Sequence, residues 1–171
     1  MSTHTQSYTV RLIFTLAITA ILLFSSNSSW AVGPSSSSDE YLEEAQDAID
    51  AGSFDEAIGI LQEVLDEDPD NADAYNLLAY SQRNIDQLDV AMENYRRALE
   101  IDPDHKGALE YQGELFLQMG DRDAAEANLV RLDDLCPRGC DEHEELQVAI
   151  EKFKDGKLGW KAPRSRRADS E

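Results

Sequence analysis

From Ser38 to Gly139 the apolar positions recur with helical rather than strand spacing. Ala57, Leu61 and Val64 are separated by steps of four and three residues. The same steps separate Ala91, Tyr95 and Ala98, and again Ala125, Leu129 and Leu132. Each triplet falls on one face of a helix and predicts a buried stripe. The short stretches "AGSF", "NIDQL" and "MGDR" carry turn residues and divide each of these helices from one preceding it. Small residues at Ala57, Ala91 and Ala125, and at Ala45, Ala79 and Gly113 in the preceding helices, allow paired helices to approach closely. The pattern predicts an all-α fold built of helical pairs.

Pro69, Pro103 and Pro137 stand 34 residues apart, the first two in near-copies, "VLDEDPDNADAY" and "ALEIDPDHKGAL". A fixed period of that length marks a repeat architecture, with units Ser38–Asn71, Ala72–His105 and Lys106–Gly139. On these residues the chain resembles the tetratricopeptide repeat family. Tyr41, Tyr75 and Leu109 supply the bulky residue at the fourth place of each unit, and the small residues and prolines also match. Val64 and Leu132 depart from a small-residue place, and Glu44 and Gln112 stand where the middle unit has Leu78. The aromatic place is filled by Phe116 but holds Ala48 and Gln82 in the other units. The resemblance implies a three-repeat helical solenoid over residues 39–137. After Pro137, "DEHEELQVAIEKFKDGK" sets Leu146, Ile150 and Phe153 on one face, with acids first and lysines last. That predicts a capping helix, 138–155, covering the apolar end of the last repeat.

The ends add a compartment. Arg11, the apolar run "LIFTLAITAILLF" and the small residues Ser29 and Ala31 have the layout of a secretory signal peptide, 1–31. An uncleaved signal anchor is the competing reading. The chain is expected to be exported, most simply to the periplasm, with secretion or signal anchoring as alternatives. No stable membrane insertion is expected after cleavage. Residues 32–38 read as a flexible leader and 156–171 as a disordered basic tail. The chain carries 35 acids against 15 lysines and arginines, net −20. From Val32 to Glu151 there are 32 acids and 7 bases, whereas Lys152 to Glu171 holds 7 bases and 3 acids. So acidic a body repels nucleic acid and anionic lipid. Its expected partner is another protein or peptide, with a basic one the better match; a well-solvated surface is the plain alternative.

The resemblance further implies that the first helix of each pair lines a concave groove. Its positions hold Leu42, Gln46 and Ile49, then Asp73, Asn76, Tyr80, Arg83 and Asn84, then Glu110, Glu114, Leu117 and Gln118. Tyr80 with Arg83 is the leading pair, since Tyr and Arg are enriched at interface hot spots. Asn76 and Asn84 suit a peptide backbone, and Glu110 with Glu114 suits a cationic segment. The competing reading is an ordinary helix surface. The family's carboxylate clamp has no counterpart, because its places hold Leu42, Gln46, Leu77, Gly107 and Tyr111. No nucleophile has an evident base and orienting partner, so neither catalysis nor a cofactor is expected.

"LCPRGCDEH" contains both cysteines, Cys136 and Cys140, followed by His143. In an oxidising compartment the two thiols would pair, closing a short loop for on the order of 2 kcal/mol. The alternative is a copper-binding or thiol-redox accessory protein using Cys136, Cys140 and His143, since soft thiolates suit Cu(I) or zinc.

Overall fold

A computed structural model describes residues 37–154. The predicted signal peptide, most of the leader and the basic tail lie outside them. The described residues form seven helices and no strand: α1 Ser37–Asp50, α2 Phe54–Glu67, α3 Ala72–Asn84, α4 Leu88–Ile101, α5 Lys106–Gln118, α6 Arg122–Leu135 and α7 Asp141–Lys154. Helix α1 begins two residues inside the predicted leader.

The turns repeat as faithfully as the helices. Gly52, Asp86 and Gly120 follow α1, α3 and α5 at equivalent places and all have positive φ, 76°, 62° and 85°. Asp86 is the only non-glycine residue so placed among the described residues, an αL conformation that Asp tolerates better than most. Between units the chain re-enters a helix through a side-chain cap. Asn71 accepts from the Ala74 N–H at 2.9 Å, and His105 Nδ1 from that of Ala108 at 3.2 Å. Such caps stabilise a helix start by about 1 kcal/mol.

Each helix packs on its neighbours in sequence, and the first helices also touch one another in the series α1, α3, α5, α7. Helix α7 therefore stands where the first helix of a fourth pair would stand. The predicted stripes are the core: Ala57, Leu61 and Val64, then Ala91, Tyr95 and Ala98, then Ala125 and Leu132 are all fully buried. Leu129 is the exception, packing half-buried at the cluster edge. Leu146 and Ile150 of α7 close the last cluster together with Leu109, Leu117, Ala125 and Leu132.

Gly113 shows how close the helices come. A Cβ added there would lie 2.7 Å from both terminal methyl carbons of Leu146. Leu146 is itself fully buried and has little room to yield. The exposed mid-helix Gly59 has nothing within 4 Å of the same position. The two glycines thus predict opposite signs. Gly59→Ala gains helix propensity, about 1 kcal/mol, and raises the melting temperature. Gly113→Ala gains the same propensity but overpacks against Leu146 at about 1–3 kcal/mol, so its melting temperature is expected to fall.

Candidate peptide-binding face

The first helices bring together a buried polar cluster at the junction of the second and third repeats. Arg83, in the last turn of α3, is 1% exposed. Its Nη1 donates to Glu114 Oε2 on α5 at 2.8 Å and to the Tyr111 carbonyl at 3.4 Å. The guanidinium carbon lies 5.3 Å from the Tyr80 ring centroid and 5.7 Å from that of Tyr111. Those two rings are 4.9 Å apart and tilted by 52°, and Phe54 of α2 continues the row 6.4 Å from Tyr80. One cation is thus held by a carboxylate and two aromatic faces, a geometry that suits the planar guanidinium better than an ammonium. Behind it Tyr95 is fully buried, and desolvation pushes its phenol well above the ordinary value. Burial likewise raises the Tyr80 phenol. Both stay neutral over the working range of pH.

Most of the residues expected to line the groove lie inside it rather than on it. Asn76, Tyr80, Arg83, Glu110, Glu114 and Leu117 are all buried. Asn84 is half-buried and its amide donates to the Tyr80 carbonyl at 2.8 Å, closing the end of α3. Of the other groove places, Ile49 is buried, Leu42, Gln46 and Gln118 are half-buried, and Asp73 is exposed. Leu77, Gly107 and Tyr111, at the places of the missing clamp, are half-buried too. The cluster therefore ties α3 to α5 and leaves a rim of mixed apolar and amide character.

Three further sets of contacts are not marked by the helical periodicity of the sequence. Asn128 of α6 donates to the Leu109 carbonyl at 3.0 Å and to Gln112 Oε1 at 3.1 Å; Asn94, one period earlier, donates to Gln82 Oε1 at 2.7 Å. Arg97 reaches back to Asp70 at 2.9 Å, and Arg131, again one period on, donates to the Pro103 carbonyl. Residues at one place in successive units share a polar role, which the repeat alignment already contains. Last, His105 uses Nδ1 for its cap, so the neutral ring donates from Nε2 to Asp73 Oδ1 at 3.0 Å. This hydrogen bond holds the Asp73 carboxyl below its ordinary 3.8.

At the capping turn, Cys136 ends α6, Gly139 has φ 86°, and Cys140 immediately precedes α7. The Cys136 and Cys140 sulfurs lie within disulfide-bonding reach of each other, with their Cα atoms 5.8 Å apart. His143 Nε2 lies 3.8 Å from Asp133 Oδ1. Among the described residues no three side chains of His, Cys, Asp or Glu converge as metal ligands.

Two outcomes test this description. Arg83→Met removes the guanidinium from a carboxylate whose side chain is 6% exposed. Urea unfolding is expected to lose about 3 kcal/mol, much of it recovered when Glu114→Leu is added. For Asp73, the lowered folded pKa means that the bond to His105 supports the fold above pH 3.8 and fades as pH falls through the lower folded value. Its side chain is 75% exposed, so the effect is a fraction of a kcal/mol. Asp73→Asn should be slightly less stable than the parent at neutral pH, and the difference should close in acid.

The tetratricopeptide repeat family matches residues 42–106, from α1 to the first residue of α5. No curated protein matches the sequence. Among solved structures, the type III secretion translocator chaperone SycD of Yersinia enterocolitica is similar with TM-score 0.62 at 19% identity, over 70% of this chain and 93% of that one. The first repeat domain of human RPAP3 is similar with TM-score 0.62 at 20% identity, over 70% and 94%. SycD is also known in complex with a peptide of the translocator YopD (TM-score 0.60, 19% identity, 70% and 94% covered). The first repeat domain of Spaghetti (RPAP3) is known bound to the HSP90 peptide SRMEEVD (TM-score 0.60, 19% identity, 68% and 93% covered). Identities this low establish a shared fold. Residues 42–106 thus match the tetratricopeptide repeat family, and the described residues share the helical-repeat fold of these structures.

Proposed function

We propose that the chain is a protein-interaction scaffold of the bacterial envelope that holds an extended, basic protein segment against its first helices. The observation that carries this reading is that two proteins of the same fold, the RPAP3 domain and SycD, hold peptides. In this chain the partner would meet the half-buried rim, chiefly Leu77, Tyr111 and Gln118, over the rigid Arg83 cluster. The net charge of −20 favours a cationic segment. Because the clamp residues of the family are absent, recognition would run along the segment rather than at its carboxyl end. The role assigned is binding, with no catalytic step.

Two sequence features support the compartment. The layout of residues 1–31 is that of a secretory signal peptide. An oxidising envelope is also where a Cys136–Cys140 bond would persist, fixing the angle at which α7 caps the array.

A photo-crosslinking residue placed at Tyr111, and separately at Val130 on the outer face (63% exposed), tests both points in intact bacteria. The reading expects the chain in the periplasmic fraction, with a crosslink from position 111 that maps to a lysine- or arginine-rich segment and none from position 130. Equal yields from the two positions, or a chain retained in the cytoplasm, would overturn it.

A further inference from the structure

We propose that the basic segment Lys157 to Arg167 docks on the concave face of its own chain and competes there with external peptides. This rests on the groove reading above. The segment "KLGWKAPRSRR" holds five lysines and arginines, one tryptophan and no acid. The body it would meet has the opposite bias, and the bias is graded. The first unit, Ser38–Asn71, contains 13 acids, and no lysine or arginine occurs between Val32 and Gln82.

The point of departure suits the docking. Helix α7 lies at one end of the row of first helices, packed on α5 through Leu146. Its last residue, Lys154, is held 3.4 Å from Glu126 of α6. Residues 155–171 can span about 55 Å when extended at ~3.3 Å each. Crossing from α7 over α5 and α3 to α1 takes three interhelix steps of about 8–10 Å. The segment therefore reaches the whole row with length to spare. Extended in that direction, Trp160 comes to the Phe54–Tyr80–Tyr111 aromatic row. Arg164, Arg166 and Arg167 come towards α1, which carries Glu40, Glu43, Glu44 and Asp50 and no base. Pro163 disfavours a helix in between. Tethering supplies an effective concentration in the millimolar range, so a contact too weak to form between separate molecules would form within one.

The test uses tryptophan emission, because the chain has two tryptophans and only Trp160 remains after Trp30→Phe. In that full chain Trp160 is expected to emit to the blue of its position in urea. The shift should vanish in about 1 M salt, where the Debye length is about 3 Å. It should vanish also when Arg164, Arg166 and Arg167 are changed to Glu, substitutions beyond the seven described helices. Emission as in urea at low salt overturns the proposal. So does a shift that grows with protein concentration alongside a doubled native mass, which would make the occupant's host a second copy. Independently, a fluorescent synthetic peptide of Lys157–Arg167 should bind the chain ending at Lys154, which keeps all seven helices, about 10-fold or more tightly than the full chain. Equal and measurable affinity for both forms overturns the docking and leaves the groove reading intact. No binding to either form removes the groove reading as well.

Discussion

The fold depends on the close stacking of each first helix on the next. Helices of 13 or 14 residues are marginal alone in water, so each owes its persistence to its neighbours. The contact is made possible by the absence of bulk at Ala45, Ala79 and Gly113, and at Gly113 even a methyl group is too much. Since the helix contacts run almost wholly between sequence neighbours and successive first helices, the stability of the array is close to a sum of adjacent terms. The terms differ in kind. The first junction, around Ile49, Leu61, Ala74 and Leu78, and the last, around Leu109, Leu132, Leu146 and Ile150, are apolar. The middle one carries the Arg83–Glu114 pair between two tyrosines. Burying that charge is costly unless its geometry is held, and the middle of the array is where helices on both sides hold it.

Much of this was legible beforehand. Steps of four and three residues marked the stripes that became the core, the 34-residue period marked the units, and the charge gradient along "DEHEELQVAIEKFKDGK" marked the last helix. These are local properties of a chain folded on a 3.6-residue period. The burial of Arg83, Glu110 and Glu114 was not legible in the same way. A helical wheel puts them on one face but does not say how near the next helix approaches that face. Arg83 meets Glu114, 31 residues on, rather than Leu117, its counterpart one period on. That offset of three belongs to the superhelix, and no single helix contains it. Leu129 likewise has the spacing of its stripe and yet lies half-buried at the margin of its cluster.

The polar contacts teach a related lesson. Asn94 with Asn128, and Arg97 with Arg131, look like unremarkable surface residues when each helix is read alone. Superposing the units shows that each pair occupies one place and does one job, the asparagines tying second helix to first and the arginines tying a unit to the turn before it. The first unit has Ile60 and Glu63 at those places.

Contacts that recur at fixed offsets also set the grain in which such a chain can change. One residue inserted within α3 would turn everything after it by about 100°, carrying Arg83 away from Glu114 and the tyrosines. A whole unit of 34 residues duplicated at the Asn71 or His105 caps would leave every offset as it was, the new turn gripped by the new arginine. Lengthening or shortening by entire units, and not by residues, is the change this architecture admits. With α7 already in the place of a next first helix, a second helix packed against it would complete a fourth pair.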